Sequence, residues 1–163
     1  MWNKPKKARD VNSSEEAYAS ALRLLEFRFR GEAQLRERLA EKGFNKTVVA
    51  DTLARLKKDR YVDDGRLLES LIRSNKEVGL YGPQYIKQKL LQRKFGYEQI
   101  VLALTDFYPK EEEEVVARKF LAKQKNLDLS DQKQKQQLLQ KFFRRGFSPD
   151  VVFKILGRAL FEE

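Results

Sequence analysis

Any chemistry in this chain falls to carboxylates, amines and guanidinium groups, because its 163 residues include neither Cys nor His. Thiol and imidazole nucleophiles, imidazole acid–base catalysis, Cys/His zinc sites and disulfides are therefore excluded. Among the acids, Asp63 and Asp64 are the one pair of adjacent aspartates. Paired carboxylates hold Mg2+ in nucleases, so a metal-dependent cleavage would centre on these two. The pair also stands at the start of an apolar-periodic segment, where a carboxylate caps a helix, and capping accounts for it without a metal. Glu111 to Glu114 read likewise, as negative charge set against a helix N-terminus. No catalytic residue, cofactor or metal ligand is expected, and the chain reads as a non-enzyme.

The cations are more informative. Between Gln84 and Lys94 stand Lys87, Lys89, Arg93 and Lys94 without one acid, and helical spacing sets them beside the Ile86/Leu90 stripe. A second acid-free run, Lys133 to Arg145, carries Lys133, Lys135, Lys141, Arg144 and Arg145. Arg66 and Arg73, two turns apart, are further candidates for anchoring either the acidic turn or a partner. With a net charge of +10, such faces suit phosphates or carboxylates, on nucleic acid or on an acidic protein surface. The plainer alternative is a solvated helix surface. Tyr81, Tyr85 and Tyr97 lie near these cations, where a ring could stack on a base, though packing explains them as well.

The elements that must position these groups follow from a threefold internal repeat. Leu35 to Leu53 (LRERLAEKGFNKTVVADTL), Ile86 to Leu104 (IKQKLLQRKFGYEQIVLAL) and Leu138 to Leu156 (LLQKFFRRGFSPDVVFKIL) align without a gap. Phe44, Phe95 and Phe147 fall in one slot, 51 and then 52 residues apart. A period near 50 points to tandem units. In the first unit Tyr18, Leu22, Leu25 and Phe29 form one apolar stripe, Leu35 and Leu39 a second, and Val48, Val49, Leu53 and Leu56 a third, giving three amphipathic helices. Gly43 and Gly146 end a helix in the left-handed conformation, the phenylalanine follows as a buried plug, and Asn45 and Ser148 are N-caps. In the middle unit Lys94 stands where glycine is expected. Gly79-Leu80-Tyr81-Gly82-Pro83 breaks the chain before the basic helix, with Tyr81, Gly82 and Pro83, like Asp63 and Asp64, in mainly structural roles. The polar stretch 123–136 has no apolar stripe and is expected to fray.

The predicted fold is all-α, three tandem three-helix repeats in an elongated, curved array. Residues 1–14 form a basic tail containing Trp2, followed by repeats over 15–60, 61–108 and 109–163. No stretch approaches the roughly 18 apolar residues of a membrane span, and the amino terminus lacks a signal sequence, so a soluble cytoplasmic protein is expected. The stripes account for the apolar residues, so a monomer is expected as well.

The segment Arg60-Tyr61-Val62-Asp63-Asp64-Gly65-Arg66-Leu67, then Gly79 to Pro83, then Ile86-Lys87-Gln88-Lys89-Leu90, resembles the RecX family of recombinase regulators. Leu35-Arg36 with Leu39, and Lys42-Gly43-Phe44, extend the resemblance over about residues 15 to 160. The resemblance implies a small cytoplasmic bacterial protein that binds the RecA–DNA filament. It implies modulation, most often inhibition, of the filament's ATPase, strand-exchange and coprotease activities in recombination, DNA repair and the SOS response. The partner is then the RecA filament, with single- or double-stranded DNA as a further contact. A direct DNA- or RNA-binding helical module is the alternative, since two helices joined by a glycine-containing turn also resemble a helix-turn-helix.

Overall fold

A computed structural model describes residues 10–124 and 131–157; among them are nine helices and no strand. They are α1 (Ser14–Phe27), α2 (Glu32–Glu41), α3 (Lys46–Lys58), α4 (Asp64–Glu77), α5 (Pro83–Gln92), α6 (Tyr97–Phe107), α7 (Lys110–Ala122), α8 (Gln132–Arg144) and α9 (Pro149–Leu156). The chain divides into two compact units, Met1–Leu67 and Leu68–Glu163.

One turn is written three times. The N–H of Phe44, Phe95 and Phe147 reaches the carbonyl five residues back, on Leu39, Leu90 and Phe142, at 3.2, 3.2 and 3.3 Å. Each preceding residue is left-handed: Gly43 at φ +87°, Lys94 at +67° and Gly146 at +77°. Lys94 thus adopts the glycine geometry at a cost of roughly 1 kcal/mol, and its turn keeps the same hydrogen bonds. All three phenylalanines are buried, because the reversed chain turns each ring back onto its own helices.

In the first unit Ala17, Ala21, Leu35, Leu39, Phe44, Val49, Leu53, Leu56 and Val62 form the core, with Tyr18, Leu22 and Leu25 partly buried against it. Phe29 does not join this stripe: α1 stops at Phe27, Arg28 is fully extended (φ −168°), and Phe29 is 76% exposed. The expected tail is held where it is described. Val11 accepts the Asn45 N–H at 3.0 Å and Ser13 caps α1 through the Glu16 N–H, whereas residues 1–9, Trp2 included, lie outside the described residues.

In the second unit Phe120, Phe142 and Phe147 pack edge-on and stacked around one centre, with Val116, Leu138 and Val152 buried beside them. The expected fraying of 123–136 does not extend through its end. Asp131 caps α8 by accepting the Lys133 N–H at 2.9 Å, and Lys135 is buried; residues 125–130 lie outside the described residues. Ser148 opens α9 with its backbone rather than its hydroxyl, its N–H donating to the Glu113 carboxylate at 2.5 Å.

Candidate anion-binding interface

The loop that precedes the basic helix is seated on the turn that ends α8. Gly82 and Gln84 supply two of the N–H groups that a helix start leaves without intrahelical partners. The Gly82 N–H donates to the Arg145 carbonyl at 2.7 Å and the Gln84 N–H to the Gly146 carbonyl at 3.1 Å. The approach needs two glycines. A Cβ on Gly82 would lie 2.3 Å from the Gly146 oxygen, and one on Gly146 would lie 2.1 Å from the Tyr85 nitrogen. The Gly-x-x-Gly-Pro motif is thus a backbone docking element within this unit.

Arg145 closes the arrangement. Its guanidinium donates to the carbonyl oxygens of Gly79 at 2.5 Å and Leu80 at 3.3 Å. Leu80 is buried with a left-handed backbone (φ +51°), so these bonds hold a strained loop in place. The same guanidinium lies 4.8 Å from the Tyr81 ring centre and 4.5 Å from that of Phe120. Tyr81 gives its opposite face to Tyr85, with ring centres 3.9 Å apart and planes 9° apart. Lys89 ends the row 5.4 Å from the Tyr85 ring centre. Tyr108 donates to the Tyr81 carbonyl at 3.2 Å, and burial, aided by Glu113 and Glu112, pushes its hydroxyl far above the ordinary tyrosine range, so it stays a neutral donor.

Beside this row is a cavity of about 410 Å³ lined by Tyr81, Phe120, Gln124, Lys141, Arg144 and Arg145. Three cations and no carboxylate line it. Lys141 reaches the Gln124 amide oxygen at 3.4 Å, and Arg144 is exposed and paired with no carboxylate among the described residues. Because both faces of Tyr81 are occupied, the cavity presents N–H donors rather than an open ring. Such a lining suits the oxygens of a phosphate or carboxylate. A larger cavity of about 580 Å³ has Lys87 and Lys110 beside Glu111, Glu113 and Asp150, so its charges largely cancel.

The remaining basic residues are dispersed. Lys87 is half-buried and turned onto Tyr97, donating to its hydroxyl at 3.1 Å and lying 4.4 Å from its ring centre. Arg93 is the half-buried C-cap of α5, and Lys94 lies beyond the helix in the left-handed turn, so the four cations of this segment do not form one helical row. Arg73 is bound to Glu69 at 2.9 Å, and Arg66, largely exposed, is 3.5 Å from Asp63. The acids have structural partners. Asp63 caps α4 by accepting the Arg66 N–H at 3.0 Å, and Asp64 accepts the Glu32 N–H at 2.9 Å, capping α2, whose own N-cap is the side-chain-free Gly31. Of the glutamates starting α7, Glu112 binds buried Lys76, Glu113 binds the Ser148 N–H, and Glu114 binds Arg118 and Lys154.

Sequence reasoning counted Lys141 in the second acid-free run, one turn before Arg144 and Arg145, and left Gln124 out of the site. Gln124 has no signature in the sequence.

Models of two RecX domains match the chain, the first three-helix domain over residues 17–56 and the third over residues 112–156. Together they cover just over half of it. The chain belongs to the RecX family. Among its RecX relatives, the regulatory protein RecX of Oceanobacillus iheyensis is 29% identical over 143 residues, 86% of this chain and 52% of that protein. The regulatory protein RecX of Streptococcus pneumoniae is 32% identical over 128 residues, 78% of this chain and 49% of that protein. The chain thus spans about half the length of the curated relatives it matches. A crystal structure of regulatory protein RecX superposes with a TM-score of 0.72 at 27% identity, covering 87% of this chain and 71% of that one. RecX from Lactobacillus salivarius shares the fold, at a TM-score of 0.72 and 21% identity over 91% of this chain and 96% of that one.

Proposed function

We propose that this RecX chain is a non-enzymatic regulator that binds the RecA–DNA filament in the cytoplasm as a monomer and inhibits its ATPase, strand-exchange and coprotease activities. The observation that carries this reading is the cavity lined by Lys141, Arg144 and Arg145 without a carboxylate, in a chain whose curated relatives are named regulatory proteins. Arg144 and Lys141 take phosphate or carboxylate oxygens of the filament, with Lys89 as a separate exposed cation. Contact with the DNA of the filament, single- or double-stranded, runs through these cations. Arg145 and Tyr81 support them by building the wall of the cavity, and Gly82 and Pro83 start the helix whose backbone is seated on the turn behind it. Several weak contacts on one filament add through effective concentration. The absence of Cys and His and the capping roles of Asp63 and Asp64 favour binding over catalysis.

The test is DNA-dependent ATP hydrolysis by a preformed RecA filament, titrated with the protein below one copy per recombinase protomer, alongside binding to the same bare DNA. The expected result is loss of hydrolysis at concentrations that leave bare DNA uncoated, and recovery of hydrolysis with the double charge reversal Lys141→Glu and Arg144→Glu. Unchanged hydrolysis together with tight, steeply salt-dependent binding to bare DNA overturns the proposal in favour of a direct nucleic-acid module.

A further inference from the structure

The cavity of about 580 Å³ in the second unit, bordered by α5, α6, α7 and α9, takes no part in the proposed filament contact. Its charged groups nearly balance in number but not in position. Lys87 is turned onto Tyr97, donating to that hydroxyl at 3.1 Å with its ammonium 4.4 Å from the ring centre, and is thereby engaged. That leaves Lys110 against three carboxylates, those of Glu111, Glu113 and Asp150. The local field is negative: after burial, it is Glu113 and then Glu112 that raise the hydroxyl of Tyr108, another lining residue.

Glu113 is the buried member of this set, 4% exposed. A carboxylate can accept about four hydrogen bonds, and one withdrawn this far from water needs most of them or a cation. Among the described residues Glu113 accepts one, from the Ser148 N–H at 2.5 Å, and makes no ion pair. The Ser148 hydroxyl oxygen is itself buried and has no hydrogen-bond partner among the described residues. Oxygen atoms short of donors thus border the cavity at depth, while the exposed Glu111 and Asp150 stand at its rim. Between depth and rim the walls are apolar, made by Pro83, Val101, Leu104 and Pro109. A group that fits carries several N–H donors, a positive charge and an apolar stem. Arginine combines them, with a planar fork of donors, weak hydration and methylenes that lie along apolar surface. An ammonium is a more strongly hydrated point charge and loses more on entering. The border of the cavity suits a protein: Val101 is 38% exposed and the next residue on α6, Leu102, is 67% exposed, so apolar surface is on offer to the side chains that flank an arginine.

We infer that this cavity is a docking pocket for an arginine side chain of a protein partner, its guanidinium donating to Glu113 and the Ser148 hydroxyl, its stem against Val101 and Leu104. An apolar residue beside that arginine rests on Leu102. The pocket selects the charge opposite to the one that the Lys141, Arg144 and Arg145 cavity takes. It therefore stands or falls independently of the filament reading.

The experiment follows backbone amide shifts of the isotope-labelled protein by NMR during titration with three probes. They are the peptide acetyl-Leu-Arg-Leu-amide, the same peptide with neutral citrulline in place of arginine, and spermidine. The reporter is the Ser148 N–H, whose acceptor is Glu113. The arginine peptide is expected to shift it saturably, and the citrulline peptide and spermidine to bind about 10-fold more weakly or worse. Glu113→Gln keeps an acceptor for the Ser148 N–H and is expected to weaken the arginine peptide about 10-fold or more without changing the citrulline peptide. Val101→Lys sets a like charge at the exposed border, outside the core, and is expected to have the same effect even if Glu113→Gln folds poorly. Three results overturn the inference: equal affinity for the arginine and citrulline peptides, arginine-peptide affinity unchanged in both variants, or no saturable shift of Ser148 below about 20 mM peptide. Spermidine binding more tightly than the arginine peptide overturns the protein partner and gives the pocket to a free polyamine.

Discussion

Gly82→Ala separates a glycine that a turn tolerates from one that a contact demands. Gly82 has φ −75°, which alanine adopts freely, so the backbone supplies no objection. The cost comes from what a methyl group would meet: the Gly146 oxygen at 2.3 Å, its carbonyl carbon at 2.4 Å and the Phe147 nitrogen at 2.5 Å. All three are backbone atoms in a turn whose own hydrogen bonds prevent it from yielding. Relief requires lifting the start of α5 away, which breaks the Gly82-to-Arg145 and Gln84-to-Gly146 hydrogen bonds. Two such bonds contribute about 1 kcal/mol each and the overpacking about 1–3 kcal/mol, so the loss is about 3–5 kcal/mol. For a unit of this size that lowers Tm by about 12 °C or more. Gly43→Ala is the control. It bears the left-handed penalty, about 1 kcal/mol, because its nearest neighbour, Val11 Cγ1 at 3.7 Å, is at an ordinary contact distance. Thermal melts followed by far-UV circular dichroism rank the two. A Gly82→Ala protein that melts within about 4 °C of the parent, or above Gly43→Ala, would show that the loop is not seated on this turn.

Neighbouring arginines on α8 are expected to part company. Arg145→Ala leaves the Gly79 and Leu80 carbonyls without their donor and costs about 2–3 kcal/mol in urea unfolding, while Arg144→Ala changes stability by less than about 0.5 kcal/mol and acts on filament affinity instead. Asp64→Ala removes the cap that α2 borrows and costs about 0.5–2 kcal/mol in the same assay, and added Mg2+ restores none of it. Acid sensitivity has a definite sign. Lys57, by direct hydrogen bonding, and then Arg36 hold the Glu32 carboxyl below its ordinary value of about 4.5; Lys154 and Arg118 do the same for Glu114. The unfolded chain takes up these protons first, so the stabilisation is complete above that ordinary value and fades as pH falls through the lower folded values. Glu32→Gln is expected to be less stable than the parent at pH 7 and to lose less between pH 6 and pH 3, as read from urea midpoints.

What the sequence made legible was whatever is written within a few residues. The three phenylalanine plugs, the left-handed residue before each, the Asn45 and Asp63 caps and the nine described helices all follow from local stop and start signals and apolar spacing. Ser148 misled because a serine before proline has the look of a cap, yet Glu113 from α7 supplies the carboxylate and takes the N–H instead. Phe29 misled because helical periodicity was carried past the residue at which α1 ends. Arg145 was legible as a cation but not as a part of the frame: its carbonyl partners are 65 and 66 residues away along the chain. Charge runs read along one helix count cations without showing which of them the fold has already used.

That distinction governs where binding energy is to be sought on this molecule. A guanidinium fixed by two carbonyls and two rings, like that of Arg145, has little freedom left to lose beside the cavity it lines. Arg144, exposed and adjacent, brings charge but must be ordered when an anion arrives. The repeated turn therefore does more than end a helix. In the third repeat its left-handed glycine lets the chain of the second repeat pass against its backbone, and that contact sets Tyr81 beneath Arg145 and shapes the wall that Arg144 and Lys141 border. The first repeat has the same turn at Gly43, but there the chain that crosses it is the segment leading into α1, with the Val11 side chain 3.7 Å from the position a methyl would take. Copies of one local motif thus acquire different work from the long-range contact each is given.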